Sequence, residues 1–305
     1  MTTASLGRAC PVTVIRATLR SAMATGRFDV FDVHHHVGRA FDALGGPLAS
    51  EAELGRFAEI EVADRLRIMD EGGVRQAMVI PGHGYLRPNG IADTREVNDG
   101  IAAYRDARPD RFPVACGIVE PRDGPHGLEE VDRVAEELGL AAISFHTRFQ
   151  GVSIDSQWIL RYLERMGERR LVPIIHAMNE TPEEALWKLA SVARQLPELT
   201  IVALDAFGTF EATRQCSHVA DVAPNIVFDT SLSYNFDAIE EFIGRVGHDR
   251  VVFGTDLYSH PVGRRISHLL PQIIESGLSQ EAKTAVLGAN ARRLLGVPVS
   301  AATAT

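Results

Sequence analysis

The chain has 305 residues, of which 45% are hydrophobic and 23% charged, a balance typical of a soluble globular protein. Its formal net charge of −9 argues against nucleic acid or an anionic membrane as the main partner, since both bind basic surfaces. Three scattered cysteines without a CxxC pair, and the lack of an apolar run near the roughly 20 residues that cross a bilayer, predict a cytoplasmic protein.

The chain begins with a segment, residues 1–27, that has scattered arginines and no sustained apolar run, so it is predicted to be an extension and not a secretory signal. Short runs rich in Val, Ile and Phe then recur between segments of helical periodicity. They predict eight strands, at residues 28–35, 74–82, 112–121, 141–148, 171–178, 200–207, 225–232 and 251–258. The long first interval, residues 37–73, is rich in glycine and small residues and predicts a loop.

Strands that alternate with helices predict parallel pairing, and eight such units in about 230 residues predict an α/β protein with a (β/α)8 TIM barrel. A doubly wound open sheet is the alternative, and it is less favoured because no glycine-rich phosphate loop follows the first strand. We predict one barrel domain over residues 28–298, a short N-terminal extension over 1–27 and a tail over 299–305. The loop of the first interval would then lie over the barrel mouth.

Three consecutive histidines end the first predicted strand, in "FDVFDVHHHVGRAF" (28–41). Because residues i and i+2 of a strand share a face, His34 and His36 are predicted to point into the barrel together with Asp32. Val33 and His35 are predicted to point towards the helix layer. Two imidazoles on one face can bind one ion, whereas His35 would have no part in the chemistry.

Matching residues end other strands on the same rim, since barrel enzymes place their catalytic groups at the carboxyl ends of strands. His176 ends strand five, Asp205 strand six and Asp256 strand eight. A single strand-end histidine or aspartate is more often a hydrogen-bonded or turn residue than a ligand. Several on one rim favour a site for one divalent ion, with Zn²⁺ first and Mn²⁺ or Fe²⁺ as alternatives.

The segments "DVHHH" (32–36), "VPIIHAM" (172–178), "VVFGTDLYSH" (251–260) and "VLGANARRLLGV" (286–297) resemble signatures of the amidohydrolase-2 branch of the amidohydrolase superfamily. That branch includes aminocarboxymuconate-semialdehyde decarboxylase, γ-resorcylate decarboxylase and pyrone-dicarboxylate lactonase. The resemblance covers about residues 28–298 and implies a small-molecule substrate and, by analogy, a homodimer. It also implies the metal ligands His34, His36, His176 and Asp256, with Asp256 handling a proton.

Two positions bear on how far the resemblance extends. The family normally has a histidine at the end of strand six, in a segment like "LAHxGG", whereas this chain has Asp205 in "TIVALDAFG" (200–208). Aspartate reaches less far and has a lower ordinary pKa than histidine, so Asp205 is predicted as a catalytic residue or an extra ligand in an altered site. Ser144 occupies the place of the strand-four lysine that bridges two metals in other branches, which disfavours a binuclear centre.

Further polar residues around the rim are candidates for substrate binding, although each is also a plausible packing or surface residue; they are His83, His146, Arg148, Tyr258 and His260. Arg148 is the candidate that could bind a substrate carboxylate with both arms of its guanidinium.

The first prediction for function is a hydrolase that acts on a C–N or C–O bond of a small carboxylated or cyclic substrate through a metal-activated water, with Asp205 or Asp256 as the proton carrier. The alternative is a non-oxidative decarboxylase of an aromatic or unsaturated carboxylic acid. A third is a repurposed lyase or cyclase, or a noncatalytic binder, on the same barrel.

Overall fold

Eight parallel strands form a barrel in which neighbours in sequence are neighbours in space. The computed structural model describes residues 28–37, 51–82, 87–258 and 267–299. The strands are β1 (Phe31–Val37), β2 (Gln76–Pro81), β3 (Val114–Ile118), β4 (Ala142–Phe145), β5 (Val172–His176), β6 (Ile201–Leu204), β7 (Ile226–Asp229) and β8 (Val251–Val252). The segment that contains β8 closes onto β1, since the Val33 N–H donates to the Phe253 carbonyl over 3.0 Å. The predicted TIM barrel is therefore confirmed, while the extension predicted for residues 1–27 lies outside the described residues.

Helices surround the strands. They are α1 (Glu51–Gly72), α2 (Ile91–Ala107), α3 (Pro125–Glu136), α4 (Thr147–Gln150), α5 (Gln157–Arg169), α6 (Leu186–Gln195), α7 (Phe210–Val222), α8 (Asp237–Val246), α9 (Leu269–Glu275), α10 (Gln280–Thr284) and α11 (Asn290–Leu295). A π-helical turn, Ala285–Ala289, joins α10 to α11. Among the described helices, none combines the length and the apolar character that a membrane span requires.

The loop predicted for residues 37–73 is wrong for most of its length, because residues Glu51–Gly72 form helix α1. Buried residues recur along its second half at helical spacing, at Glu61, Arg65, Ile68 and Met69. Glycine and small residues led to the prediction of a loop, but the helical periodicity begins soon after them. Residues 38–50 lie outside the described part of the chain.

Two apolar layers hold the barrel together. The inner layer takes alternate strand residues and is closed at the bottom by α11; among its members are Phe31, Val33, Met78, Ile80, Cys116, Ile174, Val202, Leu204, Val252 and Leu295. The outer layer packs the other strand faces, for example Val79, Ile143 and Ile175, against the helices. Since apolar residues fill the inner space from the bottom, polar residues are gathered at the mouth.

Strand β1 does not alternate regularly, which changes the predicted faces. Its register against β2 shifts between Asp32, which pairs with Ala77, and His35, which pairs with Val79, so β1 holds one extra residue there. Val33 accordingly belongs to the inner layer and Asp32 aligns with an outer-layer residue, contrary to prediction. His35 still faces outwards, as predicted, because the irregularity lies before it.

Candidate metal centre and active site

Three buried histidines converge at the barrel mouth, two at the end of β1 and one at the end of β5. His34, His36 and His176 each offer a ring nitrogen within 4.8 Å of the other two, and the Nε2 atoms of His34 and His36 are 2.9 Å apart. The Nδ1–H groups of His36 and His176 donate to the carbonyls of Pro81 and Phe145, each over 3.0 Å. Those bonds fix the tautomer that leaves Nε2 as the nitrogen able to bind a metal.

Asp256 adds a carboxylate to this group from the segment after β8. Its Oδ1 lies 3.4 Å from His34 Nε2 and 3.7 Å from His36 Nε2. The backbone of Asp256 has a φ of 53°, in the left-handed region, and its N–H donates to the His34 carbonyl over 2.8 Å. The turn therefore directs the side chain across the mouth towards β1. Three imidazoles and one carboxylate form a donor set that fits Zn²⁺, Mn²⁺ or Fe²⁺.

Asp205 lies on the other side of His34. It follows β6 with a φ of 60°, and its Oδ1 is 3.7 Å from His34 Nδ1. Among the described residues, that buried oxygen accepts no hydrogen bond. Burial raises the pKa of Asp205 well above its ordinary value, and the carboxylates of Asp256 and Asp229 add to the rise while His34 opposes it. Asp205 thus faces Nδ1 of His34, whereas Asp256 faces Nε2.

The site favours positive charge at His34. Burial disfavours the charged imidazole, but the carboxylates of Asp205, Asp229 and Asp256 outweigh burial and raise the pKa of His34 to about 10. A divalent ion would experience the same field, so the electrostatics and the donor set agree.

Asp229 and Ser231, at the end of β7, were missed in the sequence. The His34 Nδ1–H lies 2.9 Å from Asp229 Oδ2 and 2.8 Å from Ser231 Oγ, and all three residues are buried. The signal was present in "NIVFDTSL" (225–232), because Asp229 ends β7 as His176 ends β5.

A second polar group borders the mouth near β4 and β5. The His146 ring stacks on His176 with a centroid distance of 4.0 Å and an interplanar angle of 9°, and its Nδ1 hydrogen-bonds with buried Glu184. Burial raises the pKa of Glu184 to about 8, although Arg148 opposes the rise. Glu184 was missed because "TPEEALWKL" predicts an exposed first helical turn. In the structure Pro182–Glu184 form a separate 3₁₀ turn before α6, which directs Glu184 inwards.

The other predicted substrate contacts are placed as follows. Arg148 is paired with Glu180, and its Nε lies 3.6 Å from Glu184 Oε2, so protein carboxylates already engage the guanidinium. Tyr258 stacks on His36 with a centroid distance of 4.5 Å. His83 and His260 lie outside the described residues. A cavity of about 290 Å³, lined in part by Ser231, Gly254 and Thr255, adjoins the mouth. Contact with substrate stays a prediction for Arg148, Tyr258, His83 and His260.

The sequence as a whole matches the amidohydrolase family model over residues 31–297. The chain belongs to the amidohydrolase family. This confirms the resemblance seen in the motifs and makes the protein an enzyme of the metal-dependent amidohydrolase type. No curated protein sequence matches this amidohydrolase.

Solved structures with the same fold include several decarboxylases. The 5-carboxyvanillate decarboxylase of Sphingomonas paucimobilis is 17% identical with a TM-score of 0.64, over 89% of this amidohydrolase and 100% of that chain. The 2,6-dihydroxybenzoate decarboxylase of Rhizobium is 17% identical with a TM-score of 0.65, over 88% and 99%. A dihydroxybenzoic acid decarboxylase of Polaromonas sp. JS666, with bound manganese and the inhibitor 2-nitroresorcinol, is 15% identical with a TM-score of 0.65, over 90% and 98%. At these identities the likeness shows the shared barrel.

Proposed function

We propose that this amidohydrolase is a metal-dependent, non-oxidative decarboxylase of an aromatic or unsaturated carboxylic acid. The observation that carries the proposal is the convergence of His34, His36, His176 and Asp256 at the carboxyl-terminal mouth of the barrel. Structural neighbours that are decarboxylases of hydroxylated benzoic acids support decarboxylation over hydrolysis, which the sequence alone placed first.

In this proposal the four residues hold one divalent ion, which is Zn²⁺ or, as in the Polaromonas neighbour, Mn²⁺. When bound, such an ion would supply positive charge that polarises the substrate carboxylate. The hydrogen bonds from His36 to Pro81 and from His176 to Phe145 keep the two rings in position before substrate arrives.

The protein's own carboxyl groups handle the proton. Decarboxylation places a proton on the carbon that bears the carboxylate; the bond between the two carbons then breaks, its electrons return to the unsaturated system and CO₂ leaves. Asp205 and Asp256 flank His34 on its two sides and are the two groups assigned to this transfer. Buried His146 and Glu184 line the mouth beside His176 and help to exclude water.

The test is release of CO₂ by purified protein loaded with Mn²⁺ or Zn²⁺. The substrates to try first are 2,6-dihydroxybenzoate, 5-carboxyvanillate and muconate-like acids. We expect one CO₂ for each acid consumed, loss of activity with a chelator and recovery when the ion returns. Asp256→Asn is expected to lack activity. A protein that binds the ion and releases no CO₂ from any of these acids would contradict the proposal.

The hydrolase remains the second candidate, because a carboxylate beside a metal ligand set also suits the activation of water. Lactones and cyclic amides that carry a carboxylate test it in parallel. Uptake of water without release of CO₂ would assign the site to hydrolysis.

A further inference from the structure

Buried Asp229, at the end of β7, connects three strands of the barrel. Its Oδ2 accepts hydrogen bonds from the His34 Nδ1–H, over 2.9 Å, and from the Ser231 hydroxyl. Its Oδ1 accepts the backbone N–H of Asp205 over 2.8 Å. One carboxylate therefore fixes both an imidazole at the end of β1 and the left-handed turn after β6.

The contact with Asp229 determines which nitrogen of His34 faces the mouth. Because the carboxylate accepts a proton at Nδ1, the neutral ring presents an unprotonated Nε2. That nitrogen points to His36 Nε2 at 2.9 Å and to Asp256 Oδ1 at 3.4 Å. The Pro81 carbonyl accepts the Nδ1–H of His36, and the Phe145 carbonyl accepts that of His176. Of the three histidines, His34 is therefore the one whose Nδ1–H is held by a charged group.

The backbone leaves room for this arrangement at Gly254. A Cβ atom at that position would lie 2.5 Å from Asp229 Oδ2, 2.6 Å from Ser231 Oγ and 2.9 Å from His34 Cβ. These distances are too short for any side chain, so the three polar residues pack directly against bare main chain. The close packing leaves Asp229 and His34 little freedom to rotate.

We propose that Asp229 is a positioning residue that holds His34 as an Nε2 metal ligand, and that Ser231 holds the Asp229 carboxylate in place. This inference rests on the metal centre proposed above. An orienting carboxylate of this kind contributes about 10- to 100-fold to metal affinity. Asp229→Asn keeps the shape but can present an N–H to Nδ1, which would move the imidazole proton to Nε2 and block the ligand position.

The experiment is a titration of metal-free protein with Mn²⁺, in which electron paramagnetic resonance measures the unbound ion. We expect Asp229→Asn to bind Mn²⁺ about 10- to 100-fold more weakly than the wild type. Asp29→Asn is the matched control, because Asp29 is a partly buried carboxylate that pairs with Arg292 at the opposite end of the barrel. It should lower stability and leave Mn²⁺ affinity unchanged.

A second measurement does not depend on how well the variant folds. Nitrogen-15 spectra of the imidazoles in Zn²⁺-loaded wild-type protein should show His34 protonated at Nδ1 and bound to the ion through Nε2. Wild-type Mn²⁺ affinity in Asp229→Asn, or Zn²⁺ on Nδ1 of His34, would overturn the inference. If the wild-type protein itself binds no divalent ion, the proposed function fails; if it binds the ion and decarboxylates while Asp229→Asn binds equally well, this inference alone fails.

Discussion

The two ends of the barrel both bury charge, but they balance it differently. At the closed end, the Arg292 guanidinium lies over the Phe31 ring, 2.8 Å from Asp29 Oδ1, and donates to Gln76 over 2.7 Å. At the mouth, three carboxylates surround one imidazole, His34. Buried charge is tolerated when it is paired and hydrogen-bonded. The closed end is balanced by an arginine, whereas the mouth has an excess of carboxylates that a bound cation would balance.

The Arg292–Asp29 contact is a structural ion pair, whereas the mouth is the candidate active site, although both consist of buried polar residues. The raised pKa values of His34 and Asp205 and the candidate metal ligands occur together at the mouth, the end at which barrel enzymes place their catalytic groups. The closed end stabilises the fold, because α11 covers it and apolar side chains fill the barrel interior next to it. Substitutions at the two ends should therefore change different measurements.

The largest effect is expected from His176→Ala, which removes one of the three imidazoles at the mouth. The variant should lose the bound ion and all metal-dependent turnover. A residue that only hydrogen-bonds to a ligand contributes about 10- to 100-fold to metal affinity, and a direct ligand contributes more. Elemental analysis of the purified protein measures this directly. His218→Ala, at an exposed position of α7, is the matched control and should keep the wild-type metal content. A fully loaded His176→Ala protein would contradict the ligand set.

Arg292→Met tests the closed end. Removal of the guanidinium leaves Asp29 with the more distant Arg75, whose Nε lies 3.8 Å from Asp29 Oδ1. The free energy of unfolding should fall by about 3 kcal/mol, measured by chemical denaturation. Metal affinity should not change. Arg67→Met, which breaks an exposed ion pair with Asp64 on α1, should change stability little. If the double variant Asp29→Asn/Arg292→Met is no more stable than Arg292→Met, the loss does not come from the weakened pairing of the Asp29 carboxylate.

Asp205→Asn tests the proton carrier at the mouth. Because Asp205 faces Nδ1 of His34 and not the Nε2 side, the variant should keep its bound ion. Turnover should fall about 100-fold, at the lower end of what a general acid contributes. Single-turnover kinetics of the loaded variant would measure the loss. If the ion is lost together with the rate, Asp205 is a ligand; an unchanged rate would give it a structural role.

The sequence predicted the barrel and most of the mouth for a physical reason. Short apolar runs that end in polar residues are a property of every strand, and strand ends meet at one rim whatever the details of packing. His34, His36, His176 and Asp256 could be assembled from that rule alone. Asp229 obeys the same rule, so the sequence contained the signal for it.

Other features depend on local geometry that the residue pattern does not encode. The extra residue in β1 reverses the faces of Asp32 and Val33 relative to regular alternation. The inward position of Glu184 depends on a 3₁₀ turn where the sequence favours a continuous helix. The sequence suggests Arg148 as a substrate contact because it does not show that Glu180 and Glu184 lie beside the guanidinium.

The most gradual predicted effect, spread over several pH units, concerns Glu184 and the dependence of stability on pH. Burial raises the pKa of Glu184 from its ordinary 4.5 to about 8, so the folded protein retains a proton that the unfolded chain releases. That proton stabilises the fold fully below about 4.5, and the stabilisation is lost as the pH rises through about 8, with a slope of at most about 1.4 kcal/mol per pH unit. Glu184→Gln should remove this component.

The measurement is the free energy of unfolding of metal-free protein between about pH 5 and about pH 8. This range lies between the ordinary and the raised pKa of Glu184, where the slope is expected. Subtracting the Glu184→Gln curve from the wild-type curve cancels the titration of the histidines that do not contact Glu184, so the difference reports Glu184 together with its hydrogen-bond partner His146. Glu183→Gln, in the same 3₁₀ turn but only partly buried, is the matched control and should reproduce the wild-type slope. Parallel curves for the wild type and Glu184→Gln would mean that Arg148 keeps the Glu184 carboxylate ionised, and both ends of the barrel would then hold a buried arginine–carboxylate pair.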